Sequence, residues 1–185
     1  MNEQEMYVRV GQLATRVGYP MPAIERTTDP KVPAVRLKQG AVGPTMVLRC
    51  HTEELPGQVF DFLVTQDLVQ ARKGVLRRHW WGAYVIPLGL GLAVGTVTDW
   101  PAWLGFALVI LVCTPVIGAV ESVRRRAYLR TTDRLVVDVL GADEVSSALT
   151  WLAECQAWPK NLRWLWYGAL PSPADRLRKL GVRTA

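Results

Sequence analysis

Residues 45–72, TMVLRCHTEELPGQVFDFLVTQDLVQAR, change from one hydrophobic pattern to another, and this change indicates the fold class. The first six, Thr45–Cys50, are a short β-type run that follows the turn signal Gly43-Pro44. After Leu55-Pro56, apolar residues recur at helical spacing as far as Arg72: Val59, Phe60, Leu63, Val64 and Leu68. A strand followed directly by a helix predicts a fold that contains both kinds of element.

The residues before this stretch extend the same prediction. Apolar side chains lie at helical spacing from Glu3 to Val17, and Gly18 is a plausible end to that helix. Two further β-like runs, Ala23–Thr27 and Val32–Leu37, are separated by turn residues. One helix, three short strands and a second helix predict an α+β fold with a small sheet.

The residues from Glu121 onward are predicted to be helical. Glu121–Leu140 forms a long helix that Gly141 caps, and Glu144–Ala157 forms the next helix, with Asp143 at its start. A final short helix is predicted over Ala174–Leu180, after two prolines. No internal repeat is visible.

Between the two helical parts lies an apolar block, Trp80–Val120, in which Asp99 is the only formal charge. It divides into Trp80–Val97 and Pro101–Val120, each of about 18–20 residues and therefore long enough to cross a hydrocarbon core of about 30 Å. We expect a helical hairpin that crosses the bilayer twice. The competing interpretation is a helical hairpin buried in a soluble protein.

The charges around this block predict its orientation. Basic residues flank it on both sides: Arg72, Lys73, Arg77 and Arg78 before it, and Arg124, Arg125, Arg126 and Arg130 after it. The positive-inside rule then predicts an integral protein of the cytoplasmic membrane, with the lipid bilayer as a partner and both termini cytoplasmic.

Individual residues of the hairpin are assigned to two roles. Aromatic residues predicted at the membrane interfaces are Trp80, Trp81, Tyr84 and Trp100. Gly91 and Gly95 form a small-xxx-small pattern that favours close helix packing, although membrane helices also simply tolerate glycine.

The composition excludes two classes of protein. The net charge of +6 is concentrated beside the apolar block, and no nucleic-acid-reading motif accompanies it, so no nucleic-acid partner is predicted. The three cysteines, Cys50, Cys113 and Cys155, are too far apart for a zinc ribbon and too few for a disulfide framework. We expect them to be buried free thiols.

Four stretches of the chain, in this order, carry a resemblance to a known family: Val10–Pro22, Thr52–Leu68, Ser122–Leu152 and Pro171–Leu180. They resemble the HtpX-like membrane zinc metallopeptidases, a gluzincin family, over nearly the whole chain. The resemblance implies a zincin-like scaffold interrupted by a two-helix transmembrane hairpin, in a bacterial inner membrane. The predicted parts are 1–78, 79–121 and 122–185, the first and last forming one cytoplasmic domain.

The catalytic residues of that family are missing. A gluzincin binds zinc through two histidines one helical turn apart, and the intervening glutamate activates a water molecule. The matching positions here are Thr65, Val69 and Gln66, and the third ligand position is Leu129 when Asp133 is matched to the family's aspartate. We therefore predict a pseudopeptidase, not an enzyme, with no catalytic residue, no metal and no cofactor.

Two other groups of polar residues have simpler interpretations. Cys50, His51, Glu53 and Glu54 could all ligate a metal, but their spacing matches no zinc motif, and a helix start explains them better. Asp133 is expected to form an ion pair with a neighbouring arginine on its own helix, Arg130 or Arg134.

The predicted function is that of a binding, regulatory or scaffold protein, which could hold an extended peptide against a strand of its sheet. Its protein partner would be a client, a related active peptidase or a larger complex. The alternatives are an accessory structural subunit of a membrane complex and an active peptidase with non-standard ligands.

Overall fold

The computed structural model describes residues 2–29, 31–74, 123–124, 126–155 and 171–181. The chain divides into two compact units. The first contains Met1–Leu76, Leu129–Trp158 and Pro171–Ala185. The second contains Arg77–Tyr128 and Pro159–Leu170, of which only 123–124 and 126–128 are described.

Helix α1 covers Glu3–Val17, as predicted from its apolar spacing. Asn2 and Glu5 form a capping box at its start, in which the Asn2 side chain accepts a hydrogen bond from the Glu5 backbone N–H (2.7 Å). Gly18 ends the helix in the left-handed conformation (φ 68°), which glycine adopts without steric cost.

The sheet has three strands, β1 (Ala23–Thr27), β2 (Val35–Gln39) and β3 (Pro44–Arg49), in the order β1-β3-β2. The central strand β3 runs parallel to β1 and antiparallel to β2. The predicted second strand began at Val32, which instead belongs to a turn, because its N–H donates to the carbonyl of Asp29 (3.2 Å).

A short 3-10 helix, Cys50–Glu54, leads from β3 into α2, which covers Gly57–Arg72. The remaining helices are α3 (126–140), α4 (Ala142–Cys155) and α5 (Pro173–Leu180). Helix α4 starts one residue after Gly141, so the prediction that Asp143 opens it is wrong. At the start of α5, the Ser172 side chain accepts a hydrogen bond from the Asp175 N–H (3.1 Å).

Helix α2 lies at the centre of this unit and packs against α1, β2 and α4, while α4 packs against α5. Its largest fully buried side chains are Phe60, Phe62 and Leu68. They join apolar residues from the other elements in one core, among them Met6, Val10, Met46, Leu48, Val136 and Leu149. The predicted α+β class with a small sheet is confirmed for the described residues.

The predicted membrane spans find no support in the structure. Over residues 2–74 and the described segments from 123 to 181, no helix is long and apolar enough to cross a bilayer. By this finding the prediction of an integral membrane protein with two transmembrane helices and cytoplasmic termini is wrong. The hairpin itself, 79–121, lies outside the described residues, as do Trp80, Trp81, Tyr84, Gly91, Gly95 and Trp100.

Two of the cysteines are also placed differently from the prediction. Cys50 and Cys155 are free thiols, but both are exposed and not buried. Cys113 lies outside the described residues.

Candidate functional site

The positions that correspond to zinc-binding histidines lie on a packed face of α2. Thr65 and Val69 are one helical turn apart and are almost fully buried, with exposed fractions of 0% and 4%. The Thr65 hydroxyl has no hydrogen-bond partner among the described residues. Gln66, between them, is half-buried. Neither Thr65 nor Val69 therefore offers a side chain suited to binding zinc.

The side chain of Gln66 belongs to a network centred on Arg176, which extends from α5. Arg176 Nη2 donates to Gln66 Oε1 (2.9 Å), and Arg176 Nε donates to Asp133 Oδ2 on α3 (3.0 Å). A second bond from Nη2 to Asp133 Oδ1 makes the ion pair bidentate. The side chains of Arg176 and Asp133 are only 11% and 4% exposed. We refer to Gln66, Asp133 and Arg176 as the Arg176 network.

The network also includes an aromatic contact. The Arg176 guanidinium lies over the ring of Phe62, 5.1 Å from its centroid, and Phe62 is itself fully buried on α2. Arg176 thus holds three helices, α2, α3 and α5, in one arrangement. The expectation that Asp133 pairs with Arg130 or Arg134 is wrong, because its partner comes from a segment 43 residues away.

The chemistry available to the Arg176 network is limited. An arginine side chain stays protonated in proteins, and a glutamine cannot take up a proton as a general base. The Asp133 carboxylate is engaged by two nitrogen atoms of one guanidinium. The network can therefore fix helices and accept or donate hydrogen bonds, but it offers neither a nucleophile nor a metal ligand set.

The other positions implied by the family resemblance add no ligand. Leu129 lies on α3, one turn before Asp133, and is buried (9% exposed). It places a hydrocarbon side chain where the family has a carboxylate. Leu170, which matches a histidine of the family, lies outside the described residues.

The polar cluster after β3 forms ordinary local contacts. His51 Nδ1 and Glu54 Oε1 are 3.2 Å apart, and both side chains are exposed. The Thr52 hydroxyl is buried and donates to backbone carbonyl groups, including that of Ala34 (3.0 Å). Among the residues that the structure describes, no group of three or more His, Cys, Asp or Glu side chains could hold a metal ion.

Asp67, next to Gln66 on α2, was not predicted to have a role and has an unusual environment. Its Oδ2 accepts a hydrogen bond from the backbone N–H of Leu37 on β2 (2.9 Å). Burial raises the pKa of this carboxyl from its ordinary value of 3.8 to about 6, although the Leu37 bond and the charge of Arg36 oppose the change. Asp67 thus satisfies a backbone group of β2 by means of a destabilised carboxylate.

The titration of Asp67 makes a testable contribution to stability. Between pH 3.8 and about 6 the folded protein holds this proton more tightly than the unfolded chain, so the free energy of unfolding falls as the pH rises through that window. Across this window, the titration of Asp67 lowers the free energy of unfolding by up to about 3 kcal/mol.

We expect Asp67→Asn to remove that part of the pH dependence, because an amide oxygen can accept the Leu37 bond without ionising. Urea unfolding from pH 4 to pH 7 measures it, and the variant should be at least as stable as the natural protein at pH 7. The control is Asp138→Asn, at an exposed position of α3. Parallel pH profiles for Asp67→Asn and the natural protein would contradict the assignment.

No family model, curated protein or solved structure matches this chain. The resemblance to the HtpX-like metallopeptidases therefore stays a prediction.

Proposed function

We propose that this chain is a non-catalytic, metallopeptidase-like protein that acts as a binding, regulatory or scaffold protein. The observation that carries the proposal is the Arg176 network. In it, the residue at the position of the family's general base, Gln66, is held by an arginine whose remaining bonds go to a buried aspartate. A group held in this way contributes to the packing of the helices and not to a reaction.

The zincin-like part of the proposal is supported by which segments meet at this network. The family resemblance assigns Gln66 to the metal-binding helix, Asp133 to the helix after the hairpin and Arg176 to the tail motif. These residues are far apart in sequence, with Gln66 and Arg176 separated by 110 residues, yet the Arg176 side chain contacts both of the others directly. This contact between the three segments supports the zincin-like part of the proposal.

The loss of catalysis is supported by the neighbours of Gln66. Thr65 and Val69 are packed in the interior, and Leu129 is a buried hydrocarbon. Restoring an active zinc site would require four substitutions, three for the ligands at positions 65, 69 and 129 and one for the general base at position 66. Because so many substitutions separate this chain from an active peptidase, a role in binding is favoured over a peptidase with displaced ligands.

Rebuilding the metal site tests the scaffold. We expect the variant Thr65→His, Gln66→Glu, Val69→His, Leu129→Glu to bind about one zinc ion per chain, because its ligands would have the number and the helical spacing of a gluzincin site. Elemental analysis of the purified protein and the rise of its Tm on addition of zinc are the measurements.

The matched control moves one histidine by a further helical turn, with Lys73→His replacing Val69→His. It contains the same number of histidines and glutamates but separates them beyond the reach of one ion. A folded rebuilt variant that takes up no more zinc than this control would contradict the zincin-like scaffold. Loss of fold in both, without rescue by zinc, would contradict it as well.

The edges of the sheet differ in their availability to a partner peptide. On β2, the Leu37 N–H is already bound by Asp67. On the other side, β1 has β3 as its only neighbour among the strands of the described residues. Backbone groups along an unpaired edge can bind an extended segment, so β1 is the proposed contact for a protein partner.

Paired proline substitutions test this contact. In a parallel strand pair, successive residues of β1 direct their N–H groups alternately toward β3 and away from it. Proline has no backbone N–H. One of the two variants, Glu25→Pro and Arg26→Pro, therefore removes an N–H that points away from β3, and the other removes a hydrogen bond between β1 and β3. The variant that keeps the natural Tm should lose the protein partner recovered from cell extract by cross-linking. Unchanged recovery with that variant would exclude the β1 edge.

A further inference from the structure

A small pocket lies between α3 and α5, on the solvent side of the Arg176 network. Its volume is about 40 Å³, which is sufficient for the oxygen atoms of one small anion but not for a nucleotide. The residues that line it are Arg130, Asp133, Arg134, Pro171, Arg176, Lys179 and Leu180. Of the residues that the structure describes, those that line the pocket include no aromatic ring.

The charges around this pocket are strongly unbalanced. Arg130, Arg134 and Lys179 are exposed, and none of them has an acidic partner among the described residues. Arg130 and Arg134 are one turn apart on α3, a spacing at which like charges destabilise a helix. Four cationic side chains therefore converge on a pocket that contains a single carboxylate.

That single carboxylate is not available to neutralise the exposed cations. Both oxygen atoms of Asp133 are bound to Arg176, which is also fixed by Gln66 and by the ring of Phe62. The floor of the pocket is consequently rigid and close to neutral, whereas its rim carries three positive charges. This combination of a preorganised floor and an uncompensated rim distinguishes the pocket from a solvated basic helix face.

We propose that this pocket is a binding site for a phosphoryl group, in which Arg130, Arg134 and Lys179 bind the oxygen atoms. A dianion suits three uncompensated cations better than a carboxylate does, and guanidinium groups match the geometry of phosphate oxygens. The ligand is inorganic phosphate or the phosphate of a small monoester, because a cavity of about 40 Å³ is too small for a nucleotide. The site depends on the contacts of α3 and α5 and not on the proposed pseudopeptidase function.

Titration calorimetry on the full chain, at constant ionic strength, tests the site with three probes: inorganic phosphate, glycerol 3-phosphate and acetate. We expect both phosphoryl probes to bind and acetate not to bind. The tighter of the two phosphoryl probes identifies the source, free phosphate or a monoester. Binding of acetate as tight as that of phosphate, or no binding of either phosphoryl probe, would overturn the proposal.

Charge-matched variants separate the site from general electrostatic attraction. We expect Arg130→Gln/Arg134→Gln to weaken phosphate binding about tenfold or more, since two charge-assisted contacts are lost. Without phosphate, this variant should melt at or above the natural Tm, because the repulsion between the two arginines is removed. The control, Lys31→Gln/Lys38→Gln, removes two exposed charges that do not line the pocket. An equal loss of affinity in the control would overturn the site.

Discussion

Replacing Arg176 with methionine is expected to lower the free energy of unfolding by about 3–5 kcal/mol, the usual cost of removing one partner from a buried ion pair. The methionine would retain much of the packing volume but would leave the Asp133 carboxylate, whose side chain is 4% exposed, without a countercharge. It would also remove the hydrogen bond to Gln66 and the contact with Phe62. Urea unfolding followed by circular dichroism measures the effect.

A double-mutant cycle identifies the cause of that loss. Asp133→Leu alone should also destabilise the protein, because it leaves the Arg176 charge buried without a partner. The double variant Arg176→Met/Asp133→Leu should lose much less free energy of unfolding than the two single variants lose together. The control is Arg178→Met on the same helix, whose ion pair with Asp175 is exposed and contributes about 0–1 kcal/mol. Additive losses in the cycle would show that the two side chains act independently.

The second large effect is expected for Phe60→Ala, which should lower the free energy of unfolding by about 3–5 kcal/mol. Phe60 is fully buried on the central helix α2, and deleting its ring leaves a cavity that the surrounding helices can fill only in part. The matched control is Leu135→Ala on α3, where the side chain is 36% exposed. The loss in the control should be small by comparison. Thermal and urea unfolding both measure the difference, and equal losses would contradict the placement of α2 at the centre of the core.

Arg176 binds Gln66 of α2, and Phe60 lies on that same helix. Both predictions therefore concern the packing of α2, and they explain why the proposed function is one of binding. In an active metallopeptidase the face of the metal-binding helix must stay open to a metal ion, a water molecule and a substrate. Here Thr65 and Val69 are packed in the interior, and Gln66 is bound to Arg176. In this protein the helix is part of the core.

The local elements could be predicted because their signals are local. The apolar spacing of Glu3–Val17 and the glycine that follows it specify both ends of α1. β1 and α2 also lie where periodicity and turn residues indicated. The start of β2 was placed three residues too early, because the turn bond between Val32 and Asp29 competes with strand pairing and leaves no trace in hydrophobic periodicity.

The membrane prediction, unlike the prediction of the local elements, was wrong. It depended on apolar length and flanking charge alone, and no helix of the described residues meets the requirement for a span. Hydropathy indicates that a segment avoids water, but it does not by itself specify what covers that segment.

For the described residues, the sequence by itself determined the type and order of the elements: helix, three strands, helix and three further helices, an α+β fold. The tertiary structure alone decided the partners of the charged and polar side chains. Asp133 pairs with Arg176 and not with its neighbours, and Asp67 binds the backbone of β2. The physical reason is that helix and strand signals act between residues close together in sequence. A buried charge instead binds the opposite charge or hydrogen-bond donor that the packed core brings within about 3 Å, however far apart the two lie in sequence.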